Sequence, residues 1–248
     1  MRKPSLLLKA WLGAWGADEM APPRLALGTE DPPALARQRM VVEQLSGRWR
    51  NITNALVLAA MGKVPRHEFV PERRRDQAYQ DGALPIGHGQ TISQPYIVAF
   101  MTEQLQPKPT DRVLEIGTGT GYQTAILAEL VAEVYTVEII EDLARQAAVA
   151  LNRLGHTNVN VRVGDGHEGW PEAAPFDAII VTCAPERVPH PLIEQLKDGG
   201  RMIIPVGPTC DQKLVLLRKQ GGGLERHTVL PVRFVPMTGQ SQRSEAPA

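Results

Sequence analysis

From residue 112 onward, short apolar runs alternate with longer amphipathic stretches. Val113, Leu114 and Ile116 form the kind of run that a parallel strand buried on both faces shows. The apolar positions after Thr124 predict a helix over 120–131, and residues 134–138 read as the next strand. A helix over 141–154 is closed by Gly155, and Val159, Val161 and Val163 then alternate as a third strand. Residues 176–181 form a fourth strand, 191–196 a helix stopped by Asp198-Gly199-Gly200, and 202–206 a fifth strand. Residues 214–217 and 225–232 close the pattern as an antiparallel pair around Gly221-Gly222-Gly223. This alternation predicts an α/β fold, a doubly wound and mainly parallel sheet with helices on both faces.

Upstream the periodicity is helical. Residues 33–47 carry Leu35, Met40, Val41 and Leu45 at apolar positions, and 51–61 follows as a second helix with Thr53 as its N-cap and Gly62 as its end. Residues 65–71 read as a rigid connector and 73–80 as a short polar segment. The run 84–95 holds too many Gly, Pro and small polar residues for a helix or a central strand, and leads into a helix over 95–105. The organisation expected is an N-terminal extension over 1–34, partly disordered, then a helical subregion with a loop site over 35–105. A ligand-binding α/β core follows over 106–239, and a disordered polar tail over 240–248.

Composition narrows the partners. The 248 residues hold 27 acidic and 27 basic side chains. Nothing in that balance draws the chain to nucleic acid or to an anionic membrane, and no nucleic-acid partner is expected. Two cysteines, Cys183 and Cys210, are too few for a disulfide framework, and the six histidines fall in no metal-ligand spacing, so no metal is expected. Arg2 and Lys3 before Leu6-Leu7-Leu8 resemble a weak signal peptide, but Lys9 interrupts the apolar stretch, which is too short to span a bilayer. A cytoplasmic monomer is expected, with export the alternative.

The candidate chemistry lies in Glu115-Ile116-Gly117-Thr118-Gly119-Thr120-Gly121-Tyr122. Gly117, Gly119 and Gly121 allow a sharp turn and a close approach of backbone to ligand, with Thr118 between them. The dinucleotide fingerprint would need Gly at 122, where Tyr stands. Glu115 precedes the loop and suits an ammonium group better than a pyrophosphate. Glu138 ends the next strand, where an acid accepts hydrogen bonds from ribose hydroxyls. An amino acid joined to a ribose without phosphate describes S-adenosylmethionine, with S-adenosylhomocysteine as product. Asp165 ends strand three, placed to accept from an adenine amino group, and Gly166 leaves room for the ring.

These motifs, with Leu196-Lys197-Asp198-Gly199-Gly200, resemble those of class I S-adenosylmethionine-dependent methyltransferases. Val64-Pro65-Arg66-His67-Glu68-Phe69-Val70-Pro71 and Gly89-Gln90-Thr91-Ile92-Ser93-Gln94-Pro95 closely resemble the N-terminal signature of the protein-L-isoaspartate (D-aspartate) O-methyltransferases, and Phe234-Val235-Pro236 resembles that family's C-terminal end. The resemblance covers residues 35–239. It implies a Rossmann-like methyltransferase sheet and repair of damaged proteins, by methylation of the free α-carboxylate of L-isoaspartyl residues, with D-aspartyl residues as a second acceptor. It also implies that Ser93 is the active-site serine. Thr91, Ile92, Ser93 and His88 are the candidate acceptor-binding residues, with the role of His88 open and Ser93 also placed to cap the following helix.

A carboxylate is already ionised at neutral pH, so its attack on a sulfonium methyl needs positioning and desolvation rather than a strong base. Ser93 and Thr91 can donate hydrogen bonds to it, and no triad partner for Ser93 is evident. A different class I methyltransferase, a nucleotide-dependent oxidoreductase and a non-catalytic binding protein are the competing readings.

Overall fold

The structure is a computed structural model. It describes residues 31–47, 50 and 52–243. The reading of the N-terminal extension over 1–34 therefore lies outside the described residues up to residue 30, and its last residues, from Pro32, already belong to a helix. The central element is a seven-stranded sheet in the order β5-β4-β3-β6-β7-β8-β9. Its strands are β3 (Arg112–Ile116), β4 (Glu133–Glu138), β5 (Val159–Val163), β6 (Phe176–Val181), β7 (Leu196–Val206), β8 (Gln212–Gln220) and β9 (Gly223–Val232). β5 to β7 run parallel, while β8 and β9 pair antiparallel at one edge. The chain leaves β3 first to β4 and β5, then returns to β6 on the other side. That reversal makes a crevice at the strands' C-terminal ends, the usual ligand site of such sheets.

The strand pattern explains the core. Leu114 and Ile116 of β3 pack with Phe176, Ile179 and Leu192, whereas Val113 packs with Leu127, Ile180 and Ile203. The sheet is thus covered on both sides, by α6 (His190–Gln195) on one face and by α3 (Pro95–Leu105) and α4 (Tyr122–Ala128) on the other. α5 (Glu141–Arg153) carries Glu141 and Asp142 in its first turn and Arg153 in its last, each favourable to the helix dipole. Its stripe Leu143, Ala144, Ala147 and Leu151 is buried at helical spacing.

The N-terminal helices pack on this core. α1 (Pro32–Arg39) runs into a π-helical stretch, Met40–Leu45. α2 (Ala55–Lys63) is capped by Asn54, whose side chain accepts from the Leu56 and Val57 amides, and not by Thr53. The Thr53 amide instead donates to Glu103 at 2.8 Å, and the helix runs through Gly62 to Lys63. Short 3-10 turns at Arg66–Phe69 and Glu72–Gln77 make up the connector. Here the structure explains Tyr122. Its ring is buried, with the Arg66 guanidinium 4.8 Å from the ring centroid and Phe69 at 5.7 Å. Burial pushes Arg66 down to about 10. A glycine at 122 would leave this joint between connector and core unfilled.

Residues 84–95 form a small hairpin of β1 (Leu84–Gly87) and β2 (Gln90–Ile92), outside the main sheet. Gly87, His88 and Gly89 all have positive φ, which makes the tight tip. At the other end of the chain, Gln240–Arg243 forms α7, so the polar tail begins with a turn of helix. Strand five is longer than its apolar run, because Lys197 to Gly200 stay in β7 through an irregularity opposite Phe176 and Ala178.

Candidate active site

The strand ends frame a cleft at the crevice where the strand order reverses. Ile116 and Gly117 come from the end of β3, Glu138 from β4, Gly166 from the turn after β5, and Thr182 and Cys183 from the turn after β6. Gly117 has φ +94°, and a Cβ there would lie 2.5 Å from the Thr182 hydroxyl. That hydroxyl donates to the carbonyls of Gly117 (2.6 Å) and Ile116 (3.0 Å), which ties the turn to the neighbouring strand. A Cβ at Gly166 would collide with Ile116. Both positions keep the cradle open only as glycine.

Glu138 is nearly buried, and its carboxylate is held from two sides. Oε2 accepts from the Gly119 amide at 2.8 Å and Oε1 from the Ile140 amide at 3.0 Å. Each oxygen keeps a lone pair for a further donor. A fixed carboxylate beside glycine backbone and the apolar walls of Val137, Ile139 and Ile140 suits a ribose diol with a flat ring. The residues present therefore fit S-adenosylmethionine. Cys183 in the wall is a poor nucleophile: burial pushes its thiol up to about 12, with Glu138 and Asp165 adding to the shift.

The other expected cofactor residues stand differently. Thr118 is buried beneath the loop, 2.6 Å from the Thr136 hydroxyl. Gly121 starts α4 and packs against Ala147 and Leu151 of α5. Asp165 sits beside the cleft but not in its wall. Its carboxylate accepts from the His167 amide (2.9 Å) and from the Gln240 amide of the C-terminal segment (2.7 Å).

Glu115 lies under the glycine turn, fully buried and out of the cleft wall. Its Oε2 accepts from the hydroxyls of Thr124 (2.5 Å) and Thr136 (2.8 Å), while Oε1 has no hydrogen-bond partner. Burial pushes its carboxyl up to about 8, partly offset by the two threonines. The neutral acid is therefore the favoured form at pH 7. In the unfolded chain it ionises near pH 4.5. Between these values the folded state holds a proton that the unfolded state releases, so stability falls as pH rises from about 4.5 to about 8. At ~1.4 kcal/mol per unit the loss is at most about 5 kcal/mol. Glu115→Gln should remove this slope, melting above the wild type at pH 8 but with little gain at pH 4. Parallel melting-temperature profiles for the two proteins would rule out the buried neutral acid.

A second cleft lies beside the first and shares Thr91, Thr182 and Val235 with it. Ser93 and Gln94 line this second cleft. Among the described residues the Ser93 hydroxyl makes no hydrogen bond, and the N-cap of α3 is Gln94, so Ser93 is not a cap. Ile92 is buried in the core opposite Leu84. His88 lies outside both walls, with Nε2 2.9 Å from Asp142 at the start of α5. A larger opening runs between residues 68–73 and α5. It touches the glycine turn only at Gly119 and Thr120, and neither Glu138 nor Ser93 lines it.

Sequence reasoning missed Thr182 and the segment 235–238, which lines the first cleft. Thr182 had a signal, because it follows a parallel strand at the sheet's ligand edge. The segment had none in its chemistry. It is held there by backbone pairing with Ala184, whose amide donates to Val235 and whose carbonyl accepts from Met237, both at 2.8 Å.

Among the described residues, no helix is long and apolar enough to cross a membrane, and no cluster of side chains has metal-binding geometry. The family model for protein-L-isoaspartate(D-aspartate) O-methyltransferase matches residues 36–242. A protein-L-isoaspartate O-methyltransferase of Opitutus terrae is 60% identical over 82% of this chain and 86% of its own length. One from Gloeobacter violaceus is 57% identical over 80% and 97%. A solved structure named protein-L-isoaspartate O-methyltransferase is 32% identical with TM-score 0.69, covering 75% of this chain and 62% of that one. The S-adenosyl-L-homocysteine complex of a Plasmodium falciparum protein shares the fold, with TM-score 0.72 over 84% of this chain and 99% of that one, at 24% identity. The matched region takes in the glycine turn, both clefts and the C-terminal segment, and the chain belongs to the protein-L-isoaspartate(D-aspartate) O-methyltransferase family.

Proposed function

We propose that this chain repairs damaged proteins and peptides by transferring the methyl group of S-adenosylmethionine to the free α-carboxylate of L-isoaspartyl residues. The observation that carries the reading is the meeting of two clefts at Thr91, Thr182 and Val235, with Glu138 on one side and the uncommitted Ser93 hydroxyl on the other. Bound S-adenosylmethionine supplies an electrophilic methyl on a positively charged sulfur, and transfer leaves a thioether and a methyl ester.

The chain's own part is binding and alignment. Glu138 holds the ribose, with Gly117 and Gly166 letting the cofactor sit against backbone. Ser93 and Thr91 donate to the acceptor carboxylate and strip it of water in a cleft walled by Ile97 and Val232. An oxygen aligned with the methyl needs no proton removed, since it enters as an anion and leaves as an ester. Among the described residues neither wall holds a histidine, which agrees with this.

Methyl transfer to an isoaspartyl peptide, run beside the matched aspartyl peptide, tests the reading. Transfer to the isoaspartyl peptide alone is the expected result, and equal transfer to both peptides would overturn it. We also propose a cytoplasmic monomer. Its free thiols, Cys183 and Cys210, suit a reducing compartment. A light-scattering mass of 27.2 kDa is then expected, and a multiple of it would contradict the monomer.

A further inference from the structure

Among the described residues the acceptor cleft has a single charged side chain in its wall, Arg233. It is exposed, and among the described residues no hydrogen bond or ion pair engages it. The backbone that carries it is nonetheless fixed. Buried Gln212 grips the next residue in both directions: its Oε1 accepts from the Phe234 amide at 2.6 Å, and its Nε2 donates to the Phe234 carbonyl at 3.1 Å. One residue further, Val235 is tied to Ala184. Phe234 and Val232 pack against the core on either side of Arg233. A rigid segment therefore holds an unpaired guanidinium at the rim of a cleft whose other polar groups, Ser93, Thr91, Gln94 and Thr182, are neutral.

The group that must enter this cleft is a carboxylate. A guanidinium is permanently charged, and its planar fork matches a carboxylate. We propose that Arg233 is an acceptor-recognition residue, pairing with the α-carboxylate of the isoaspartyl residue as it docks. This rests on the acceptor reading above. The carboxylate has two oxygens, so one can face Arg233 while the other faces the methyl. Holding the attacking oxygen would slow it, so the pairing acts on binding, and its loss shows in KM rather than kcat.

The test compares two peptides that differ at one group: an isoaspartyl peptide and the same peptide with its α-carboxylate converted to a carboxamide. Binding is measured by fluorescence anisotropy with the enzyme saturated in S-adenosylhomocysteine. The wild type should prefer the acid by roughly 5- to 30-fold, between the values of an exposed ion pair and a well-made charged hydrogen bond. Arg233→Gln should bring this preference close to one while leaving amide affinity unchanged, and should raise the peptide KM by the same factor. Arg233→Lys should keep most of the preference, and Arg233→Glu should reverse it. Equal weakening of acid and amide in Arg233→Gln would mean that the residue only shapes the cleft, and an undiminished preference would mean that another group reads the charge. Either result overturns the proposal. Absence of methyl transfer by the wild type would instead overturn the acceptor reading itself.

Discussion

Glu138→Ala is expected to weaken S-adenosylmethionine binding on the order of 100- to 1,000-fold, about 3–4 kcal/mol for two charge-assisted hydrogen bonds to the ribose. The expectation follows from how the carboxylate is held. The Gly119 and Ile140 amides fix both of its oxygens, so no ordering of the side chain remains to be done when the ligand arrives. Removing it also strands those two amides at the cleft wall. The two effects are separable with a 2′,3′-dideoxy analogue of S-adenosylhomocysteine. The wild type should lose much of its affinity for the analogue, whereas Glu138→Ala should bind analogue and parent nearly alike. Titration calorimetry gives both constants. A folded variant that still discriminates between the two ligands would show that the ribose is read elsewhere.

The parts of the site that proved legible in the sequence were those where chemistry and local pattern coincide. Glu138 ends a strand at the ligand edge and faces the cleft, as its position implies. Glu115 also stands at a strand end, but a period of two decides its direction. Ile116 faces the cleft, so Glu115 shares the side of Val113, towards α4 and Thr124. That alternation was available in the sequence and outweighs the appeal of an acid before a glycine loop. Asp165 could not be placed in the same way. Its partner Gln240 is 75 residues distant, and no local pattern reports such a contact. The hairpin over 84–92 escaped because its tip takes three positive φ values in succession, which marks breakers but not pairing. Long regular elements were legible because burial on two faces or along one stripe imposes a period on the sequence.

The acceptor side gives the second large effect. Ser93→Ala should lower kcat/KM for an isoaspartyl peptide by about 10- to 1,000-fold, the range for one or two well-placed donors, without abolishing transfer. S-adenosylmethionine affinity should hardly change, because Ser93 lines the second cleft and not the first. The residual rate follows from the neighbours: Thr91 stays in place, and an anionic oxygen needs alignment more than activation. The pH profile sharpens the test. An acceptor with an α-carboxyl pKa of about 3.5 is ionised above pH 6, so the rate should be nearly flat from there to about pH 7.5. Any change near pH 8 belongs to Glu115, whose ionisation would place a charge beneath the glycine turn, and it should vanish in Glu115→Gln. A steep dependence near pH 7 that disappears in His88→Ala would contradict this scheme. His88 touches Asp142 rather than either cleft, so that result would require charge on the hairpin tip to govern how Thr91 and Ser93 are held. Complete inactivation of a folded, cofactor-binding Ser93→Ala would show that the hydroxyl takes part in the transfer itself.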